Sequence, residues 1–267
     1  MDFSPEGPKA IPLWINGHAF LTAGDSFFVV SNPATGEAIR RVPLSGASEA
    51  AEAAEAALAA QAVWAEMGLQ ARRICLANLA DALDRYTGHF AKLLVQECGF
   101  DEARATAEVG EAVAALQGAL VGQTGVVGVV LDDSRPLANF AEAMAPALMA
   151  GAAVVVKPSP KAPSAVYALC ELSSRAEWPA GVLNLMQGDA PAIAGLCAVK
   201  LTAVHQQLRA FSHTRVDVTL DALACCVGDD GAHFGGQVFA VEDLQSFCAF
   251  DQLGNDLVGH IADQYGH

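Results

Sequence analysis

Hydrophobic positions change their spacing along the chain, and each spacing predicts a different kind of element. Between residues 11 and 44, the turn signals Trp14-Ile15-Asn16-Gly17 and Asn32-Pro33-Ala34-Thr35-Gly36 flank the apolar run Phe27–Val30. That pattern predicts short strands joined by turns. Ser48 is placed to cap an alanine-rich helix running to about Met67, a stretch that needs no more explanation than good helix formers. A second helix carries Leu76, Leu79, Ala80 and Leu83 on one face. Gly88 and Gly99 punctuate a third helix, and Asp101 to about Leu120 reads as a fourth.

From Gly125 onward, strands and helices alternate. Gly125–Leu131 is an unbroken apolar run of the length of a strand buried on both faces. Helix is expected over Leu137–Ala150, strand over Ala152–Val156, and helix over Pro163–Ala176. Strand follows over Val182–Met186, a short helix over Pro191–Ala198, and a fourth strand over Leu201–Val204. Such βα alternation predicts an α/β fold with a doubly wound, mostly parallel sheet. Ligands of such sheets bind beyond the carboxyl ends of the strands. The last sixty or so residues break the rhythm. Val216–Leu220 alternates like a half-exposed strand, and Gln237–Phe250 mixes Val238, Phe239, Val241, Phe247 and Phe250 with acids. The expected division is a domain over residues 1–205 and a β-rich flap over residues 206–267 that serves oligomerisation.

Composition narrows the function classes. Hydrophobic residues make up 53% of the 267, and mean hydropathy is +0.32, which is ample for a core and leaves an excess suited to an oligomer interface. A formal net charge of −15 argues against nucleic acid and anionic membrane surfaces, which select basic proteins. The longest apolar run, Met144–Val156, is too short to span a bilayer and reads as a buried helix followed by a buried strand. Residues Met1–Glu6 have neither a basic nor an apolar leader segment, so a cytoplasmic location is expected. Seven scattered cysteines suit a reducing compartment and roles as small buried hydrophobes.

Candidate chemistry outside the sheet is thin. Cys225 and Cys226 with His205, His213 and His233 are of zinc-ligating type, but there is no Cys-x-x-Cys pair and adjacent cysteines diverge on a strand. No metal site is assigned. Nor does a nearby base or helix start support either cysteine as a nucleophile. Asp221 reads as a solvated acid at a strand end, and Gly188-Asp189 as a strand-to-helix turn.

The ordered segments resemble a known family, the aldehyde dehydrogenases. Trp14-Ile15-Asn16-Gly17, Ser31–Glu37 and Arg41-Val42-Pro43 are similar to that family's opening. Gly125–Val130 resembles its first coenzyme-domain strand, Ala145–Ser159 the next helix and strand, and Pro179–Asp189 the strand after that. The resemblance covers about residues 11–200 and implies a Rossmann-like coenzyme domain. Among the family it is similar to the truncated, non-catalytic domain that ends long proline utilisation proteins and serves assembly.

The departures from the family pattern bear on function. The family's oxyanion-stabilising asparagine lies in a Pro-Trp-Asn-Phe-Pro loop; here that loop reads Asp132-Asp133-Ser134-Arg135-Pro136, with Ser134 at the asparagine position. Negative charge beside a developing oxyanion opposes its stabilisation. Lys157 is retained from the family's ribose-binding pair, but its glutamate partner is Pro160. The glycine-containing phosphate loop is replaced by Ala203-Val204-His205-Gln206-Gln207. The nucleophile's context has at most an echo in Gly236-Gln237-Val238-Phe239, where Phe239 stands at the thiol's place. The family's oligomerisation strands are missing from the short passage between Glu111 and Gly125. The resemblance therefore implies no catalytic residue. It leaves Lys157, Ser159 and Gly188 as candidate cofactor-binding residues, with NAD expected to bind weakly if at all. The partners implied are other protein chains, in a homo-oligomer or a hetero-oligomer.

Overall fold

A computed structural model describes residues 8–21, 26–176, 178–209, 215–216, 232–234 and 237–239. Two hairpins open the chain. β1 (Leu13–Ile15) and β2 (His18–Phe20) meet across Asn16-Gly17, whose φ values of 52° and 76° are those of a two-residue hairpin turn. β3 (Phe27–Ser31) and β4 (Ala38–Pro43) meet across Asn32–Glu37, where the Asn32 carbonyl accepts from Gly36 N–H at 2.7 Å.

Four helices follow: α1 (Ala47–Glu66), α2 (Leu69–Arg85), α3 (Thr87–Cys98) and α4 (Glu102–Gln117). Helix α1 corrects the expected start. Ser48 lies inside its first turn, Gly46 is the N-cap, and the Glu49 carboxylate accepts from Gly46 N–H at 2.9 Å. Gly88 likewise lies inside the first turn of α3, because Tyr86 both ends α2 and starts α3. Gly99 and Asp101 behave as expected. Gly99 closes α3 at φ 67°, and the Asp101 carboxylate accepts from Arg104 N–H at 2.8 Å as the N-cap of α4.

The remaining described elements build the sheet: β5 (Val126–Leu131), α5 (Pro136–Ala150), β6 (Ala153–Lys157), α6 (Ser164–Ser173), β7 (Leu183–Leu185), α7 (Ala190–Ala198), β8 (Ala203–Arg209) and β9 (Arg215–Val216). Strand order is β2-β1-β7-β6-β5-β8-β9, with β7, β6, β5 and β8 mutually parallel. Four parallel strands joined through helices make the doubly wound α/β sheet the spacing predicts. Strand β8 is longer than expected, and its main chain stays in register with β5 as far as Gln207, so polar residues extend it. Residue 205 falls inside this strand. Beyond it, β10 (Ala232–Phe234) and β11 (Gln237–Phe239) pair antiparallel. The rest of the expected flap, including Leu220, Asp221 and Val241–Phe250, lies outside the described residues.

Both faces of the sheet are covered. Val126 and Val130 of β5 pack with Ala50, Ala53 and Ala57 of α1 and Leu196 of α7. Val127, Val129 and Leu131 face the larger cluster beneath α2–α6, which contains Leu79, Leu83, Val109, Phe140 and Met144. This two-sided burial is why the strands read as unbroken apolar runs. The alanines of α1 have a further role: they let the helix approach the chain closely. A Cβ at Gly181, where φ is +85°, would lie 2.7 Å from the Ala56 carbonyl oxygen, so this crossing tolerates only glycine. Among the described residues no helix is long and apolar enough to cross a membrane.

Candidate functional site at the carboxyl edge of the sheet

The carboxyl ends of β5, β6 and β7 bring three short segments to one edge: Asp132–Arg135, Lys157–Lys161 and Met186–Asp189. All three candidate cofactor residues are here. Lys157 is the last residue of β6 and is only 3% exposed. Ser159 is also buried, and its hydroxyl accepts from Lys161 N–H at 3.3 Å. Gly188 turns the chain from β7 into α7 with φ +124°.

After β5 the loop bonds to itself and to α4. Asp132 Oδ1 accepts from Ser134 N–H at 2.9 Å and from the Ser134 hydroxyl at 2.6 Å. The one polar side chain at the asparagine position is thus committed to a neighbouring carboxylate. Arg135 bridges Glu111 at 2.5 Å and Glu142 at 2.9 Å. Glu108, buried on α4, accepts from Leu137 N–H at 3.0 Å and Ala138 N–H at 3.5 Å at the start of α5. Glu97 makes the matching cap on α6, accepting from Ser164 N–H at 2.9 Å and from the Ser164 hydroxyl. Burial raises the pKa of both carboxyls, that of Glu97 to about 7, against the lowering effect of their hydrogen bonds. Sequence reading missed both, because each partner is far along the chain; their signal was an acid on an otherwise apolar helix face.

Polar atoms without partners gather at this edge. Ser45 Oγ, Gln187 Oε1, Asp189 Oδ1 and Glu108 Oε2 are buried and make no hydrogen bond within the protein. Asp189 is the N-cap of α7 but its side chain makes no capping bond. In a dinucleotide site, glycine opens space for the ligand. Here a Cβ at Gly188 would meet Ala192 Cβ at 2.9 Å and Ser45 N at 3.0 Å, so the protein itself fills that space. Asp132 and Asp133 add two carboxylates to this edge. Retained Lys157 apart, the edge does not fit a dinucleotide's phosphates and ribose.

Cys75 and Cys170 are buried and Cys98 and Cys197 half-buried; burial pushes Cys98 and Cys170 well up. Cys225, Cys226 and His213 lie outside the described residues. Among the described residues no three His, Cys, Asp or Glu side chains are grouped to hold a metal. A cavity of about 280 Å³ is lined by Tyr86, His89, Phe90, Glu171, Leu172 and Arg175. It opens beside the C-terminal half of α6, at the opposite end of the sheet from this edge.

Comparison with known proteins fits this architecture. The model of the aldehyde dehydrogenase family matches residues 20–205. A probable succinate-semialdehyde dehydrogenase [NADP(+)] of Sinorhizobium fredii is 33% identical over 189 residues, which cover 61% of this chain and 38% of that protein. The crystal structure of lactaldehyde dehydrogenase from Escherichia coli superposes with TM-score 0.70 at 26% identity, over 74% of this chain and 47% of that one. Proline utilization A from Bdellovibrio bacteriovorus shares the fold, with TM-score 0.66 at 23% identity over 71% of this chain and 22% of that one. The chain spans about two fifths of the length of the curated relatives it matches. A family model that covers most of the sequence settles its kinship: the chain belongs to the aldehyde dehydrogenase family.

Proposed function

We propose that this chain is a non-catalytic, aldehyde-dehydrogenase-like subunit whose role is assembly, with copies of itself or with another protein. The observation that carries the reading is the Asp132–Ser134 pair. The hydroxyl at the oxyanion position donates its hydrogen bond to the Asp132 carboxylate and has none left for a substrate. Exposed apolar side chains support the assembly half. Leu58, Val63 and Ile74 stand out from α1 and α2, and Leu120 and Val121 from the connection between α4 and β5. That connection holds no strand between Gln117 and Val126. Losing the nucleophile, its base and the oxyanion donor together removes about 8 kcal/mol or more of barrier lowering. The purified chain is expected to give no aldehyde-dependent NADH or NADPH, and to sediment as an oligomer alone or with its partner. Turnover abolished by Cys225→Ser or Cys226→Ser would replace this reading with a dehydrogenase whose site the tail completes.

A second reading is a module that binds NAD or NADP without chemistry. It rests on Lys157 and on the relative named for NADP(+). Weak binding is expected, because a lost charge-assisted hydrogen bond costs about 1.5–3 kcal/mol and two are missing. Calorimetric titration with each nucleotide decides: a low micromolar Kd that Lys157→Ala removes would favour this module.

A further inference from the structure

One face of α4 grips the β5–α5 loop almost residue by residue. Arg104 Nη2 donates to the Ser134 carbonyl at 3.2 Å, Glu111 pairs with Arg135, and Glu108 between them accepts from Leu137 and Ala138 N–H. Residues 104, 108 and 111 share this face because they are one turn apart on the helix. The outer two contacts are solvent-exposed, whereas Glu108 is buried and its Oε2 has no partner. We propose that the Arg104–Glu108–Glu111 face is a proton-linked latch, holding residues 134–138 beside the carboxyl end of β5 and releasing them as Glu108 ionises.

The sign follows from burial. A neutral Glu108 carboxyl still accepts from both amides through Oε1 and carries no charge into the core. An anion there puts an unmatched charge on Oε2. Opening the loop exposes the carboxyl to water and returns it to ordinary acidity, so protons favour the latched form. The charged and titratable groups around Glu108 leave this sign intact. The Leu137 and Ala138 N–H bonds, Arg135 and Arg104 favour its anion, but together less than burial opposes it. Glu111 and Glu142 are engaged by Arg135, and Asp133 and the half-buried Cys98 lie close by. The latch does not depend on the assembly role proposed above.

Hydrogen exchange of the full chain, read by mass spectrometry and corrected for intrinsic rates, tests it from below the ordinary carboxyl value upward, between about pH 4 and 8. Amides of residues 134, 135 and 137–139 report the latch, and those of Leu76–Leu83 in α2 report global opening. Expected is a loop protection, relative to α2, that falls by up to about tenfold per pH unit across the titration. Glu108→Gln, a neutral side chain with the same acceptor, should keep the loop protected and flatten that fall. Arg104→Met and Glu111→Gln each remove one grip and should lower protection at every pH while keeping the slope. The proposal is overturned if wild-type loop protection is flat with pH, or if the fall survives in Glu108→Gln. Should Glu108→Gln not fold, the wild-type slope and the two outer variants still decide.

Discussion

The two ends of the sheet are built on different terms. At the amino end, buried polar groups are satisfied many times over. Arg72, only 8% exposed, donates to the carbonyls of Met149 at 3.1 Å, Ala65 at 2.7 Å and Trp64 at 3.4 Å, closing the ends of α1 and α5 together. Trp64 Nε1 donates to Leu148 O at 2.9 Å, and Trp178 stacks on Trp64 at 5.3 Å. At the carboxyl edge, four buried polar atoms have no partner and burial pushes two carboxyls, Glu97 and Glu108, up. Satisfied buried polar groups are the rule, and exceptions call for a reason. Among the described residues four of the five exceptions collect at the end where α/β sheets hold ligands, the fifth being Arg41 Nε in the β3–β4 hairpin. On the function proposed above, the contrast is that between a former ligand-binding edge and an end devoted to stability.

The sharpest way to break this contrast is at the stable end. Arg72→Ala removes the donors of three buried carbonyls and the cation that closes two helices. We expect a loss of about 3–5 kcal/mol, the range for breaking a buried charged network. Chemical denaturation by urea measures it. A loss below ~1 kcal/mol would mean that the amino end is no better tied than the other.

The next effect separates the ends by pH. Burial raises Glu97 from 4.5 to about 7, so the folded state holds its proton more tightly than the unfolded chain does. Its contribution is full below pH 4.5 and is lost as pH rises to 7. At ~1.4 kcal/mol per unit, the loss is about 3 kcal/mol across that window. The charge of Arg40 and the Ser164 bonds oppose the shift and are outweighed by burial. Glu97→Gln should flatten this part of the stability profile and leave the variant more stable than the parent at pH 8. Denaturation midpoints at pH 5 and pH 8 check it; parallel profiles for the two proteins would show that Glu97 is not the titrating group.

Much of the stable end was legible from sequence, and much of the edge was not. Strands β5 and β6 announce themselves because burial on both faces leaves Val126–Val130 and Ala153–Val156 without a polar residue. The apolar face of α2 was equally plain. What escaped were features set by distant partners. Glu108 caps a helix 29 residues away and Glu97 one 67 residues away, and no local pattern encodes either. The start of α1 slipped from Ser48 to Gly46 because Glu49 supplies the cap from the far side, where a serine ahead of the helix was expected. Strand β8 outran its apolar stretch because main-chain pairing with β5 places no demand on side chains. Lys157, Ser159 and Gly188 lie together at the carboxyl edge of the sheet. Their surroundings were not legible, since Ser45 reaches Gly188 from 143 positions earlier.

The smallest effect sharpens the comparison most, because it has the opposite sign to the first. If the edge keeps polar groups that no longer serve a ligand, removing them should cost nothing. Ser45→Ala deletes a hydroxyl that is 2% exposed and has no partner. An unsatisfied buried hydroxyl carries a desolvation penalty of about 1–3 kcal/mol, and an alanine in its place adds no cavity larger than one oxygen. The expected change is a gain of up to about 1 kcal/mol, the remainder being taken by water that reaches the site. Gln187→Met tests the same idea with a cost built in, since Gln187 Nε2 also donates to Pro12 O at 3.3 Å and that long bond is lost. It should therefore fall near zero. Urea midpoints for both variants, read beside Arg72→Ala, place the two ends on one scale. A loss of 2 kcal/mol or more for Ser45→Ala would mean that its hydroxyl is satisfied in solution. The carboxyl edge would then be a working part of the fold, and no longer a remnant of a ligand site.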